Sequence, residues 1–250
     1  MNYIIITGTS RGLGESLAEK LLRDNNHIFC ISRKKNEKLL SKAKACLVPL
    51  DYFEYDLKNV GELDWLSNAI FEKIDKSAAE SLCLINNAGT VTPIKPVGTI
   101  SSGEIANNLS VNLLSPMILT SLFIDFSRNM NIDKRVINIS SGAGKKPFFG
   151  WGCYCSAKAG LDLFTQCVGL EQQDKEYPVR IISFSPGIID TEMQKEIRST
   201  KEEDFIQLER FINFKKEGKL LSPDYVADKV IRLVSGKDFK QGGVADITEF

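Results

Sequence analysis

Short apolar runs rich in β-branched residues recur along this chain, and segments with helical periodicity lie between them, an alternation that admits few folds. Tyr3 to Ile6, His27 to Ile31, a run ending at Tyr55-Asp56-Leu57, Leu82 to Ile85, Arg135 to Ile139, Val179 to Phe184 and Gly242 to Ile247 read as strands. Glu15 to Arg23, Val60 to Ile74, Ile105 to Ser127, Trp151 to about Gln173 and Pro223 to Val234 read as helices. Continuously apolar strands are buried on both faces, so the pattern predicts an α/β fold with a parallel sheet covered by helices on both sides. A chain of 250 residues can bury such a core as one domain spanning residues 1–250.

Thirty-two basic residues balance thirty-two acidic ones, so no global positive field exists to hold nucleic acid or an anionic membrane. Any anionic ligand must be met locally. The six cysteines show no metal-ligand spacing and no CxxC pair, and they read as reduced core thiols. Cys153 and Cys155 flank Tyr154 and read as packing rather than as a redox pair. The start, MNYIIITG, lacks a basic region followed by a long apolar one, and no later stretch offers about 18 uninterrupted apolar residues. The expectation is a soluble, cytoplasmic protein with no metal, no membrane and no nucleic-acid partner.

Between the first strand and the first helix lies Thr7-Gly8-Thr9-Ser10-Arg11-Gly12-Leu13-Gly14. Glycines there let the backbone approach a pyrophosphate, and the helix N-terminus offers free N–H groups and a positive dipole end. The spacing is TGxxxGxG rather than GxGxxG, and alone it fits a tight turn as well as a nucleotide site. The second strand ends at Ser32-Arg33-Lys34-Lys35, where an acid would be expected to hold the ribose of NAD. No acid stands there. Arg33, helped by Arg11, can instead fork onto a 2′-phosphate, which points to NADPH, whereas Lys34 and Lys35 read as the solvated start of a helix. Asp56 would lie near an adenine, and Asn86-Asn87-Ala88-Gly89 is a turn small enough for a cofactor to cross. Both also fit plain turn chemistry.

Val136 to Leu161 holds Ser140, Ser141, Tyr154 and Lys158. Tyr154 and Lys158 are four apart in a helix-prone segment, so they rise from one face, and an ammonium beside a phenol favours the phenolate. Tyr154 is therefore a candidate general acid, and Ser141, at the C-terminal edge of a strand, can steady a carbonyl oxygen. The bare spacing also fits a surface pair. Asn112 is awkward inside a helix because its amide competes for backbone hydrogen bonds, and Pro116 perturbs the same helix. Residues 190–220 carry apolar side chains at helical spacing beyond what the core needs, which suits a substrate lid or an ordinary surface helix pair.

Taken together, Thr7-Gly8-x3-Gly12-x-Gly14, Asn86-Asn87-Ala88-Gly89, Asn112, Ser141 thirteen residues before Tyr154, Lys158 and Pro186-Gly187 resemble the short-chain dehydrogenases/reductases over nearly the whole chain. The resemblance implies a Rossmann-type doubly wound sheet of seven parallel strands in the order 3-2-1-4-5-6-7. It implies that Ser141 orients a carbonyl, Tyr154 is the acid/base, Lys158 also binds the nicotinamide ribose and Asn112 holds a proton-relay water. NADPH or NADP+ would meet Gly8, Ser10, Arg11, Gly12, Leu13, Gly14, Ser32, Arg33, Asp56, Asn87, Ala88, Gly89, Pro186, Gly187, Ile189 and Thr191, besides Tyr154 and Lys158. Family members pair as homodimers or homotetramers through the helices carrying Asn112 and Tyr154. Within the family, KPFFGWGCYCSAKAG and SPGIIDTEMQ are similar to the sepiapterin reductases and the (S)-benzoin-forming benzil reductases. That similarity implies a carbonyl reductase acting on compact 1,2-dicarbonyl substrates, with Phe148, Phe149, Trp151 and Met193 as an apolar pocket. Asp246 matches the carboxylate that anchors a pterin ring, and it also fits a solvated tail. The competing expectation is a non-catalytic NADPH-binding sensor whose lid reports cofactor state to a partner.

Overall fold

Seven strands pair in parallel in the order β3-β2-β1-β4-β5-β6-β7 in the computed structural model, which describes residues 1–236 and 239–249. The elements follow as β1 (Asn2–Thr7), α1 (Gly12–Lys20), β2 (Asn26–Ser32), α2 (Glu37–Ala45), β3 (Leu50–Glu54), α3 (Leu63–Phe71) and β4 (Ser81–Asn86). Then come α4 (Ser102–Leu109), α5 (Ser115–Ser127), β5 (Asp133–Ile139), α6 (Gly152–Gln172), β6 (Arg180–Ser185), α7 (Glu192–Arg198), α8 (Leu208–Lys216), α9 (Pro223–Ser235) and β7 (Gly243–Asp246). Strand order reverses between β1 and β4, which opens a crevice above the C-terminal strand ends.

The strands alternate face by face. Ile4, Ile6, Ile28, Cys30, Ile137 and Phe184 pack against Leu17 of α1 and Val226 and Val230 of α9. Tyr3, Ile5, Phe29, Leu84 and Val136 pack on the opposite face against Leu66 of α3 and Phe123 of α5. Side chains along a strand point to opposite faces, so continuous apolar runs supply both cores at once. Several expected boundaries shift. Helix α1 starts inside the glycine loop at Gly12 and ends at Lys20, and β3 stops at Glu54, leaving Tyr55 to Leu57 beyond it.

The helix expected over 105–127 is interrupted. A π-helical turn, Ser110–Leu114, joins α4 to α5, with the Ser115 N–H donating to the Ser110 carbonyl five residues back. Asn112 sits inside that turn, and Pro116 lies in the first turn of α5, where it supplies no N–H. The whole stretch Ser102–Ser127, 26 residues with a mean hydropathy of 1.6, is long and apolar enough to cross a membrane by length and composition. In this fold it lies on the sheet against β4 and β5, beside α3 and α6.

The cysteines depart from expectation. Cys30, Cys83 and Cys153 are buried, but Cys46, at the solvent-facing end of α2, and Cys167, on the outer face of α6, are exposed, so neither is a core thiol. All six are free.

Candidate active site

Above the strand ends lies a cleft of about 1040 Å³, large enough for a dinucleotide with a small second molecule. Its floor begins at the glycine loop. Gly8 holds φ +76°, and a Cβ there would lie 2.9 Å from the Ala88 Cα. A Cβ on Gly14 would collide with the Gly8 carbonyl and the Asn87 amide, so the loop closes this tightly only without side chains. Asn87 donates its amide to the Thr7 carbonyl at 2.9 Å, and Thr7 Oγ1 accepts from the backbone N–H groups of Asn87 at 3.0 Å and Ala88 at 2.9 Å. Asn86 turns the other way, into the core, and donates to Asn138 Oδ1 at 2.8 Å. The first turn of α1 has no side-chain cap from Arg11, so its N–H groups stay open to an anion. An uncapped helix end over a glycine cradle fits a pyrophosphate.

Arg11 and Arg33 are exposed on the cleft wall, and neither joins an ion pair among the described residues. Ser32 Oγ lies 2.6 Å from the Tyr52 hydroxyl, which Thr9 Oγ1 also approaches at 3.2 Å. Both Ser32 and Tyr52 hydroxyls lie close to the Lys34 carbonyl, at 2.9 and 3.1 Å. Tyr52 on β3 thus braces the turn that carries Arg33, and sequence reasoning missed it. Asn36 adds a second brace, donating to the Ser10 carbonyl at 3.2 Å and Glu15 Oε1 at 2.9 Å. Asp56 lines the cleft past β3 and accepts from the Lys58 N–H at 3.1 Å.

At the other end of the cleft stand Ser141, Tyr154 and Lys158. Tyr154 is 7% exposed and Lys158 4% exposed on one face of α6. Lys158 Nζ donates to the Ile139 carbonyl at 2.8 Å and lies 5.8 Å from the centroid of the Tyr154 ring. Burial pushes the Tyr154 phenol up, with a hydrogen bond to Ser141 pulling it down. Burial also drives Lys158 down to about 8, opposed by Asp162. The expected lowering of the phenol by the ammonium is therefore not what this arrangement produces. The lysine spends its nearest contact on a carbonyl, and desolvation dominates both groups.

Asn112 is fully buried, and its amide accepts from the Thr90 N–H at 3.1 Å while donating to the Thr90 carbonyl at 2.8 Å and the Asn108 carbonyl at 3.1 Å. It holds Gly89 in place beneath Lys158. A Cβ on Gly89 would lie 3.1 Å from Asn112 Oδ1 and 3.8 Å from Lys158 Nζ. Gly187, after Pro186, takes φ +72°, and Ile189 and Thr191 continue along the cleft wall. Thr191 lies over the glycine loop, where a Cβ on Gly12 would be 3.3 Å from its methyl carbon. Ser10, Leu13 and Ala88 also line the cleft.

Phe148, Trp151 and Met193 face the space beside Tyr154, joined by Phe211 and Phe214, which the sequence reading did not assign to the pocket. Trp151 meets the Tyr154 ring edge-on at 5.5 Å and stacks on Phe205 at 4.8 Å. Phe149 is a correction: it is 42% exposed and lies outside the cleft, because the chain turns at Gly150 with only Phe148 and Trp151 directed inward. Asp246, paired in register with Ser185, lines the cleft too. Its Oδ1 accepts from the Thr248 N–H at 3.1 Å and the Thr248 hydroxyl at 2.9 Å. Burial acts to raise its carboxyl, but hydrogen bonds from Thr248 and Ser185 outweigh it and hold the group below its ordinary value.

A doubly wound parallel sheet with a glycine cradle at its first turn and a serine, tyrosine and lysine over its fourth and fifth strands defines a nicotinamide-dependent oxidoreductase. Residues 2–202 match the short chain dehydrogenase family model, and the chain belongs to that family. It is 49% identical over 249 residues, the full length of both chains, to a benzil reductase ((S)-benzoin forming) of Bacillus cereus. It is 31% identical over 260 residues to the sepiapterin reductase of Rattus norvegicus, covering 97% of this chain and 94% of that one. A short chain dehydrogenase/reductase from Saccharomyces cerevisiae superposes with a TM-score of 0.82 at 27% identity, over 98% of this chain and 96% of that one.

Proposed function

We propose that the protein is an NADPH-dependent carbonyl reductase that reduces one carbonyl of an apolar, benzil-like 1,2-diketone. The observation that carries this reading is the aromatic pocket of Phe148, Trp151, Phe211 and Phe214 walling the space beside Tyr154, which suits a flat aromatic substituent. Full-length identity of 49% with a benzil reductase supports the same substrate class. Asp246 has Oδ1 engaged twice by Thr248, which leaves it less than the two free parallel acceptors that a pterin's donor edge would use and favours an apolar diketone. Arg33 past the end of β2 and Arg11 in the glycine loop, both exposed on the cleft wall and in no ion pair among the described residues, support NADPH over NADH.

A bound NADPH supplies the hydride. Tyr154 gives its proton to the carbonyl oxygen while the Ser141 hydroxyl holds that oxygen, and burial, by pushing the phenol up, keeps the proton on Tyr154 until it is needed. Lys158 stabilises the phenolate left behind and binds the nicotinamide ribose. Asn112 acts by bracing Thr90 and Gly89 under the lysine. Residues 190–220 serve as a lid, with Phe205 and Phe211 closing over Trp151. The enzyme assembles as a homodimer or homotetramer through α5 and α6, where Leu163 and Leu170 stand exposed, and the free thiols support a cytoplasmic setting. The sensor reading has no use for the Ser141 to Tyr154 hydrogen bond above a buried lysine.

The test is NADPH oxidation with benzil, run beside Tyr154→Phe. The expected outcome is turnover in the wild type and a fall of about 100-fold or more in the variant, with NADPH still bound. Turnover in the variant within about tenfold of wild type would remove Tyr154 as donor, and no turnover of benzil in either would overturn the benzil-like substrate reading.

A further inference from the structure

We propose that Asp162 is a positioning residue, the buried counter-charge that keeps the Lys158 ammonium protonated inside the site; this rests on the role of Lys158 given above. Tyr154, Lys158 and Asp162 follow one another at four-residue intervals on the buried face of α6. Asp162 is only 7% exposed, yet its carboxylate meets no basic group in an ion pair among the described residues. Its contact is neutral, a hydrogen bond donated by the Ser183 hydroxyl of β6. The turn after Ser141 closes directly over it, since a Cβ on Gly144 would lie 2.9 Å from Asp162 Oδ2 and 3.0 Å from the Lys158 carbonyl carbon. Water is thus displaced from the carboxylate, and the lysine that follows Tyr154 by one turn is itself only 4% exposed.

A carboxylate and an ammonium each buried alone are costly, and one helical turn between them lets each offset the other. The charges that face Lys158 are few. The end of β5 offers the Ile139 carbonyl, the π turn offers neutral Asn112, the Gly89 turn and the Gly142–Gly144 turn offer no ionisable side chain, and α7 offers Met193. On α6 itself stand Tyr154 and Asp162. Lys145, just past the Gly144 turn, is exposed and acts on Asp246. Asp162 accordingly is the group whose charge raises Lys158 against burial.

Asp162→Asn keeps an oxygen for Ser183 and removes the charge, so it separates electrostatics from packing. The primary readout needs neither cofactor nor substrate: titration of 13C-labelled lysine side chains in the free protein by nuclear magnetic resonance, with the Lys158 signal assigned through Lys158→Met. The Lys158 midpoint should fall by about one pH unit in Asp162→Asn and stay in place in Asp162→Glu. Where the reaction is measurable, the alkaline limb of kcat/KM should move down by the same amount. An unmoved midpoint in Asp162→Asn overturns the proposal, while failure of benzil turnover alone would count against the substrate reading and not against Asp162. Should Asp162→Asn not fold, Ser183→Ala decides, because it keeps the carboxylate and loses only the hydroxyl. A Lys158 midpoint unmoved in that variant supports the charge, and a fall of about one unit assigns the effect to packing and overturns the proposal.

Discussion

Arg33 follows β2 as an exposed guanidinium on the wall of the cleft, and the turn beneath it is stiffened by hydroxyls that come from elsewhere. Replacing it with Asp removes a forked phosphate contact and adds repulsion. NADPH should then bind more weakly by about 2 kcal/mol or more, roughly thirtyfold, with NADH affinity kept or improved, as cofactor fluorescence titration would read. Equal NADPH affinity in the variant would reduce Arg33 to solvated surface. The absence of an acid at this position is legible in a single sequence because it is local to one strand end. Tyr52 is not, because it reaches Ser32 from the neighbouring strand through the β2 to β3 register, which pairs Cys30 with Tyr52. Similarly, the spacing of Tyr154 and Lys158 is visible in the chain, whereas the outcome of their electrostatics depends on depth of burial, and that only the folded molecule defines.

Among elements, the glycine loop and α1 act as one unit clamped by Asn87. Gly14 is the position where that clamp leaves no room, so Gly14→Ala should lose NADPH binding and cost about 2 kcal/mol or more of stability, read by cofactor titration and thermal melting. A variant that binds NADPH normally would show that the loop can relax. Strand and helix alternation was readable here since apolar runs and helical periodicity are properties of single segments. The break of the long helix at 110–114 was only hinted at by Asn112 and Pro116, whose competition for backbone groups signals trouble without saying which turn results. The pocket rings Phe211 and Phe214 were visible as apolar positions, but their approach to Trp151 depends on how α8 folds back.

For the whole molecule, the C-terminal segment is fastened to the sheet by a charged cluster far from the cleft. Arg135 and Arg180 both pair with Asp133, at 2.8 and 2.7 Å, both stand over the Phe239 ring, and Arg135 also donates to the carbonyls of Leu233 in the last turn of α9 and of Gly236 just after it. Burial acts to raise the Asp133 carboxyl, but the two guanidinium groups outweigh it and hold it below its ordinary value of 3.8. A group whose folded value is lowered contributes stability above its unfolded value and loses it as pH falls through the lowered one. Asp133→Asn should therefore lower the melting temperature near neutrality, with the gap to wild type holding down to about pH 5 and narrowing below it, as the pH falls through the lowered value. A gap that stays constant across that range would mean the cluster acts by packing alone. The overall architecture, one parallel sheet with a crevice at its topological switch, followed from patterns each strand carries by itself, while ties such as this cluster join residues more than a hundred positions apart and have no local signature.

The π turn at Ser110–Leu114 holds one more residue than an α-helical turn of the same rise. Deleting a single residue there, Val111 for instance, would leave a chain able to run as one continuous α-helix. The helices on either side would keep their faces, because the bulge absorbs the extra residue that a regular helix would turn into a rotation of about 100°, but the widened turn that carries Asn112 to Thr90 would be gone. The geometry under Lys158 thus depends on a count of residues as well as on their identities, and a one-codon loss in an otherwise intact reading frame would be enough to undo it.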